Sequence, residues 1–194
     1  MRRIWYDKEF IDNGTTIEVI SIGMVDDTGG QLLLFNGDIW PGAIAAHPWL
    51  AENVLPHLPV YQHGGRDWRW DLGDSRVQTH AGMADLVRHF ITKAGEVELW
   101  GYFPSYDHVA LAQLWGPMKD LPTGVPMVTF DVQQEWARLG RPDGVKPPEP
   151  KNAHDALVDA DWTRLFWETC RSYAWAAGDQ HVWGGPPYAG RGGQ

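Results

Sequence analysis

Cysteine is nearly missing from this 194-residue chain: Cys170 stands alone. A single thiol excludes an internal disulfide framework and a cysteine-ligated zinc centre, and it fits a reducing compartment. Long apolar runs are missing too. None approaches the roughly 20 residues that a membrane-crossing helix needs, and MRRIWYDKEF enters a strand pattern too early to leave room for a secretory leader. The expectation is a soluble, cytoplasmic protein with no membrane partner. Basic residues are scarce, 16 Lys and Arg against 25 Asp and Glu, for a formal charge of −9. That balance argues against a protein that coats nucleic-acid phosphates, while leaving room for contact with a strand end alone.

What the chain has in quantity is apolar and aromatic surface: 43% hydrophobic residues and 12 tryptophans. At this length they suffice for one domain with a substantial core. Most of the tryptophans read as packing, with base stacking the minority role. Three strands, IWYDKEFID, TTIEVISIGMVDD and QLLLFNGDI, are punctuated by Asn-Gly and Gly-Gly turns. From Pro41 to about Gln78 the pattern breaks: HPWLAENVLPHLP holds a short helix and HGGRDWRWDLGD reads as loop. Residues 79–95 carry Met83, Leu86, Val87, Phe90 and Ile91 at helical spacing. A strand (EVELWGYF), a helix (YDHVALAQLWG), a strand (PMVTFDV) and a helix (QQEWARLG) follow, then a rigid proline-rich loop, RPDGVKPPEPK. The last helix is expected from a cap at Asn152 to about Ala177, ahead of a mobile Gly/Pro-rich tail at 179–194. The expected fold is α/β, a mixed sheet with three antiparallel strands first, then alternating helices and strands, with helices packed on it, in a single domain over 1–178.

The acids are the informative residues. Asp7 and Glu9 flank Lys8 on the first strand, and i, i+2 side chains share a face. Roughly 6–7 Å apart, two carboxylates repel by about 2–3 kcal/mol at an effective dielectric near 20. Solvent, a basic partner or a metal ion has to relieve that. Lys8 is the one nearby cation, and alternation sends it to the opposite face. Asp107 opens a helix directly after a strand. His154 and Asp159 head the last helix five residues apart, about 140° round a regular helix, so they converge only if His154 sits at the loop–helix junction and turns back. Each signal alone is weak: Asp107 also reads as a first-turn helix charge, and His80 with Asp85 repeats the H-x4-D spacing. Order separates them, since His80 precedes Asp107.

D-x-E, then Asp, then H-x4-D in this order resembles the DEDDh branch of the DnaQ-like 3′–5′ exonucleases, which have a ribonuclease H-like fold. YDKEFIDNGTTIEVISIGMV, ELWGYFPSYDHVALAQLWGPM, VLPHLP and HDALVDA are similar to stretches of the actinobacterial polyadenylate-specific exoribonucleases, the ribonuclease AS group. The likeness spans roughly residues 3–170, is patchy between about 36 and 95, and leaves out the tail.

The resemblance implies phosphodiester hydrolysis with two Mg²⁺ ions, or Mn²⁺, held by hard oxygen ligands. Asp7 would bridge both ions. Glu9 and Asp159 would complete the site that holds the attacking water, Asp107 would serve the second ion through its waters, and His154 would take the proton. Two such cations would bring the charge to about −5. The implied partner is the 3′ end of a single-stranded RNA, with an adenosine preference, and the implied assembly is a homodimer. Phe10, Tyr102, Phe103 and Tyr106 are candidate base or sugar contacts, with GYFPS (101–105) shaping its own rim. Arg66, Arg69, Arg138 and Lys151 are candidate phosphate contacts, and Trp68, Trp70, Trp115 and Trp136 a candidate dimer surface. A 3′–5′ DNA exonuclease would use the same five residues, and a catalytically silent binding module could keep the fold.

Overall fold

A computed structural model describes residues 2–65, 67–93 and 95–179. Its first strand, β1 (Arg2–Asp12), pairs antiparallel with β2 (Ile17–Asp26), and β2 pairs antiparallel with β3 (Gln31–Asn36). Turns at Gly14 and Gly29, both at positive φ, close the two hairpins. Two short helices, α1 (Pro41–Ala46) and α2 (Pro48–Asn53), lead to a hairpin of β4 (Val60–His63) and β5 (Asp67–Trp70). After β6 (Val77–Gln78) the chain alternates through α3 (His80–Thr92), β7 (Val97–Gly101), α4 (Ser105–Gln113), β8 (Thr129–Asp131), α5 (Val132–Arg138) and α6 (Ala156–Ala176). The main sheet has the order β6-β3-β2-β1-β7-β8, with β7 and β8 parallel to β1. It is a mixed α/β sheet with antiparallel strands first, parallel strands after and helices packed on it, consistent with a ribonuclease H-like arrangement.

Alternation along β1 sorts its side chains between two apolar layers. Ile4 and Tyr6 face a layer built with Met83, Val87 and Ile91 of α3 and Ala110 and Leu111 of α4. Trp5 faces the other way, into a layer with Trp100, Val132, Trp162, Phe166 and Trp167. A third cluster over β3 packs Phe35 with Ile44, Leu50, Val54 and Trp70. The segment 63–74, expected as loop, is where the structure departs most: it contributes to the β4–β5 hairpin. Gly64 and Gly65 take the positive-φ turn, and Trp70 is drawn under α1, its indole N–H donating to the Ile39 carbonyl at 2.7 Å.

The last helix also begins later than expected. Asp155, not Asn152, is its cap, accepting hydrogen bonds from the N–H groups of Leu157 and Val158. Residues 151–154 form a turn that ends in His154 at φ +72°. The expected tail lies outside the described residues apart from Asp179, which pairs with Arg138 at 2.6 Å. Among the described residues no helix is long and apolar enough to cross a membrane.

Candidate active site

β1 continues past the point where β7 stops pairing with it: their register covers Arg2–Trp5 of β1 only. Asp7 and Glu9 therefore sit beyond the carboxyl end of β7, at the crevice where open α/β sheets place their ligand sites. They face α6. Gly23 of β2 lies directly opposite Asp7, and α6 starts on top of it: a Cβ at residue 23 would stand 2.1 Å from the Ala156 carbonyl oxygen and 2.3 Å from the Leu157 nitrogen. Only glycine admits that approach, which brings the head of α6 down onto the two acids. The signal was present in the sequence as a lone glycine inside an apolar strand.

At that head the turn carries His154 back toward the helix body. Its N–H donates to the Asp159 carboxylate at 2.6 Å, and its Nδ1 lies 3.7 Å from a Glu9 carboxylate oxygen. Ligand atoms of Glu9, His154 and Asp159 fall within 4.8 Å of one another. These three line a cavity of about 300 Å³ together with Asp7, Tyr102 and Trp162. The proline-rich loop supplies its outer wall through Glu149, Pro150 and Ala153. Three larger hollows, of about 540, 630 and 790 Å³, bring together no such cluster of ligand atoms among the described residues. In the first, arginines are tied up in ion pairs, Arg3 with Glu98 and Arg164 with Asp161 and Glu168.

Asp107 arrives from the other side. The β7–α4 connection turns sharply at Gly101, where a Cβ would meet the Pro104 ring at 2.5 Å, and Phe103 takes a φ of +53°. Asp107, in the first turn of α4, then accepts the Lys8 N–H on a carboxylate oxygen at 3.0 Å, while its carbonyl accepts the Lys8 ammonium at 2.8 Å. Lys8 does lie on the opposite face of β1 from Asp7 and Glu9, as alternation requires. It is nonetheless close to the acids, buried beneath Asp107 with its Nζ 4.2 Å from the Tyr6 ring centre.

The carboxyls shift together. Burial, followed by the charges of Asp107, Glu9 and Asp159, pushes Asp7 well above the usual carboxylate range. Glu9 is pushed up to about 8, by burial first and then by Asp159 and Asp107. Burial also raises Asp107, against the opposing pull of Lys8, and raises Asp159, against the hydrogen bond from His154. Burial lowers the Lys8 ammonium to about 8, against Asp107 and Asp7. Three or four carboxyls that hold one another's protons on are short of positive charge. Their hard oxygens, with one imidazole beside them, are the donor set a small divalent cation takes, so the residues fit one.

The candidate rim residues divide. Phe10 and Tyr106 stack at 6.4 Å with Tyr106 largely exposed, whereas Tyr102 packs edge-on against Trp162 while lining the cavity. Phe103 is exposed at the strained turn. Of the candidate phosphate contacts, Arg69 is paired with Asp67 and Arg138 with Glu135 and Asp179. Lys151 is exposed, and Arg66 lies outside the described residues. The four tryptophans expected as a dimer surface are not exposed: Trp70 is buried, and Trp68, Trp115 and Trp136 are half-buried because each packs against an apolar layer. Besides Trp162, which lines the cavity, Trp49 of α2 reaches the site. It is half exposed and meets the His154 ring edge-on at 4.8 Å. Nothing in its sequence surroundings signals this. His80, the competing histidine, stands at the start of α3 and lines a different hollow.

No family model matches the chain. Two relatives from Mycobacterium tuberculosis, of strains CDC 1551/Oshkosh and H37Rv, are each named 3′-5′ exoribonuclease. Each is 41% identical to this chain over 165 residues, which span 84% of this chain and 90% of the relative.

Proposed function

This chain belongs to the family of 3′-5′ exoribonucleases, and from that premise we propose that it removes nucleotides one at a time from the 3′ end of single-stranded RNA as nucleoside 5′-monophosphates. We further propose that it does so as a DEDDh enzyme of the ribonuclease AS group, acting on adenosine-rich ends. The observation that carries this reading is the convergence of Glu9, His154 and Asp159 beside Asp7 in one cavity, in a chain so similar to exoribonucleases.

Asp7, Glu9, Asp107 and Asp159 would hold two divalent cations, Mg²⁺ or Mn²⁺. When bound, these supply charge neutralisation at the phosphoryl oxygens and acidify the attacking water. The rest falls to the chain. His154 accepts the proton of the water on the ring nitrogen that faces Glu9, and the hydrogen bond from its backbone N–H to the Asp159 carboxylate holds the residue at that place. A P–O bond forms to the water oxygen as the bond to the departing 3′ oxygen breaks, and that oxygen is protonated from solvent. Tyr102 lines the site, and the stacked Phe10–Tyr106 pair, with Tyr106 largely exposed, offers ring surface for the bases of a strand leading to it. The exposed Val109, Met118 and Met127 round an apolar hollow beside α4 support a homodimer through that face rather than through the tryptophans.

Digestion of 5′-labelled, adenosine-ended RNA and the matching DNA, with Mg²⁺ and with EDTA, tests the reading. A metal-dependent ladder shortening from the 3′ end of RNA alone, absent for Asp7→Ala, is the expected result. Equal loss of DNA would replace the RNA preference with a general 3′–5′ exonuclease activity. No cleavage of either by folded protein would overturn the proposal.

A further inference from the structure

Lys8 stands between two acids that want positive charge, yet its side chain is on the far side of the strand and only 3% of the residue is exposed. A lysine buried that deeply is costly unless its charge is compensated. Its hydrogen bonds go to a single residue: the backbone N–H and the ammonium both reach Asp107, one at its carboxylate and the other at its carbonyl. The ammonium itself lies over the Tyr6 ring, 4.2 Å from its centre. Tyr6 is itself anchored below, its hydroxyl 2.9 Å from the Thr129 hydroxyl and 3.3 Å from the His108 ring. Among the described residues no carboxylate oxygen comes within 4.0 Å of the Lys8 ammonium, so no single ion pair uses up its charge.

We infer that Lys8 is the built-in counter-cation of the acid cluster: a fixed positive charge beneath the Asp107 flank that leaves the Glu9–His154–Asp159 flank as the stronger seat for a divalent ion. The inference rests on the metal-dependent reading above and concerns a residue that reading does not employ. A charge held in place by burial, by a ring and by the Asp107 backbone cannot swing away when a divalent cation arrives. It repels an ion on the Asp7–Asp107 side more than one on the far side of Glu9. Lys8 is thus a positioning residue for Asp107 and an electrostatic handicap for one of two cation sites.

Three variants of the full chain separate charge from hydrogen bonding. Lys8→Gln keeps a donor for the Asp107 carbonyl and removes the charge, Lys8→Met removes both, and Lys8→Arg keeps the charge. Mn²⁺ is titrated calorimetrically into each, with the rise in Tm as a second readout. The expected result is that Lys8→Gln and Lys8→Met strengthen the weaker of two Mn²⁺ affinities about tenfold, while Lys8→Arg stays near wild type. Unchanged or weaker Mn²⁺ binding in Lys8→Gln overturns the counter-cation role. Wild-type binding in Lys8→Gln with weaker binding in Lys8→Met reduces Lys8 to a hydrogen-bond holder of Asp107, which also overturns it. Should Lys8→Met fail to fold, Lys8→Gln, with its similar reach and its donor, decides the matter. Absence of Mn²⁺ binding in every protein, wild type included, removes the metal-dependent reading itself and is distinguishable from all of these.

Discussion

The two flanks of the acid cluster face the same difficulty and solve it differently. On one, Glu9, Asp159 and His154 meet at the mouth of a cavity, held by a turn and by the close seating of α6 on Gly23. Their charge is left for something from outside to neutralise. On the other, Asp107 is buried over Lys8, which gives it two hydrogen bonds from within the fold. The open flank is thus built for exchange and the closed flank for rigidity. One strand produces both, because period-two alternation sends Asp7 and Glu9 one way and Lys8 the other.

The strongest way to break the comparison is to disarm the open flank. His154→Ala should lower kcat by about 10²–10⁴-fold, the range for loss of a general base, with the Mn²⁺-induced rise in Tm mostly retained. Loss of both together would mean that His154 ligates the cation. Gly23→Ala should come next. Its Cβ drives against the Ala156 carbonyl and the Leu157 nitrogen, so α6 must lift, and a stability loss of about 2–4 kcal/mol is expected from denaturant melts. Mn²⁺ binding should weaken on the Glu9–Asp159 side, whereas the Asp107–Lys8 pairing, which does not depend on α6, should survive.

The gentlest probe is pH. Glu9 carries its proton more tightly folded than unfolded, with a folded pKa of about 8 against an ordinary 4.5. Between those two values the folded chain binds more protons than the unfolded one, so stability is fully present below about pH 4.5 and declines as pH rises through about 8. The metal-free protein should therefore melt several degrees lower at pH 8 than at pH 5. Mn²⁺ should reverse the slope by taking the place of the proton. A shallower fall for metal-free Glu9→Gln than for wild type would assign that share of the effect to the open flank, the remainder belonging to the other raised carboxyls.

Much of this architecture was readable in the residues. The three leading strands and the α3, α4 and α6 helices announced themselves through periodicity, and the common face of Asp7 and Glu9 follows from strand geometry alone. The meeting of His154 with Asp159 was readable as a condition, a turn at the head of α6, and the positive φ of His154 meets it. Other features depended on tertiary contacts. The β4–β5 hairpin was masked because its strands alternate weakly and its charged tip resembles a loop; what fixes it is Trp70 docking under α1. The cap of α6 was misplaced because Asn152 and Asp155 are equally good caps locally, and only the packing against Gly23 selects one. Alternation gives the face of Lys8, but nothing in a strand pattern says that α4 will begin directly over it. Trp49 reaches His154 from about 100 residues away in the chain, and no local signal marks such a pair.

Diffraction from Mn²⁺-soaked crystals, recorded for anomalous differences, tests the central claim most directly. A strong peak is expected among Asp7, Glu9 and Asp159, with a weaker one toward Asp107 and loss of the strong peak in Glu9→Gln. A well-ordered cavity with no anomalous peak at saturating Mn²⁺ would contradict it.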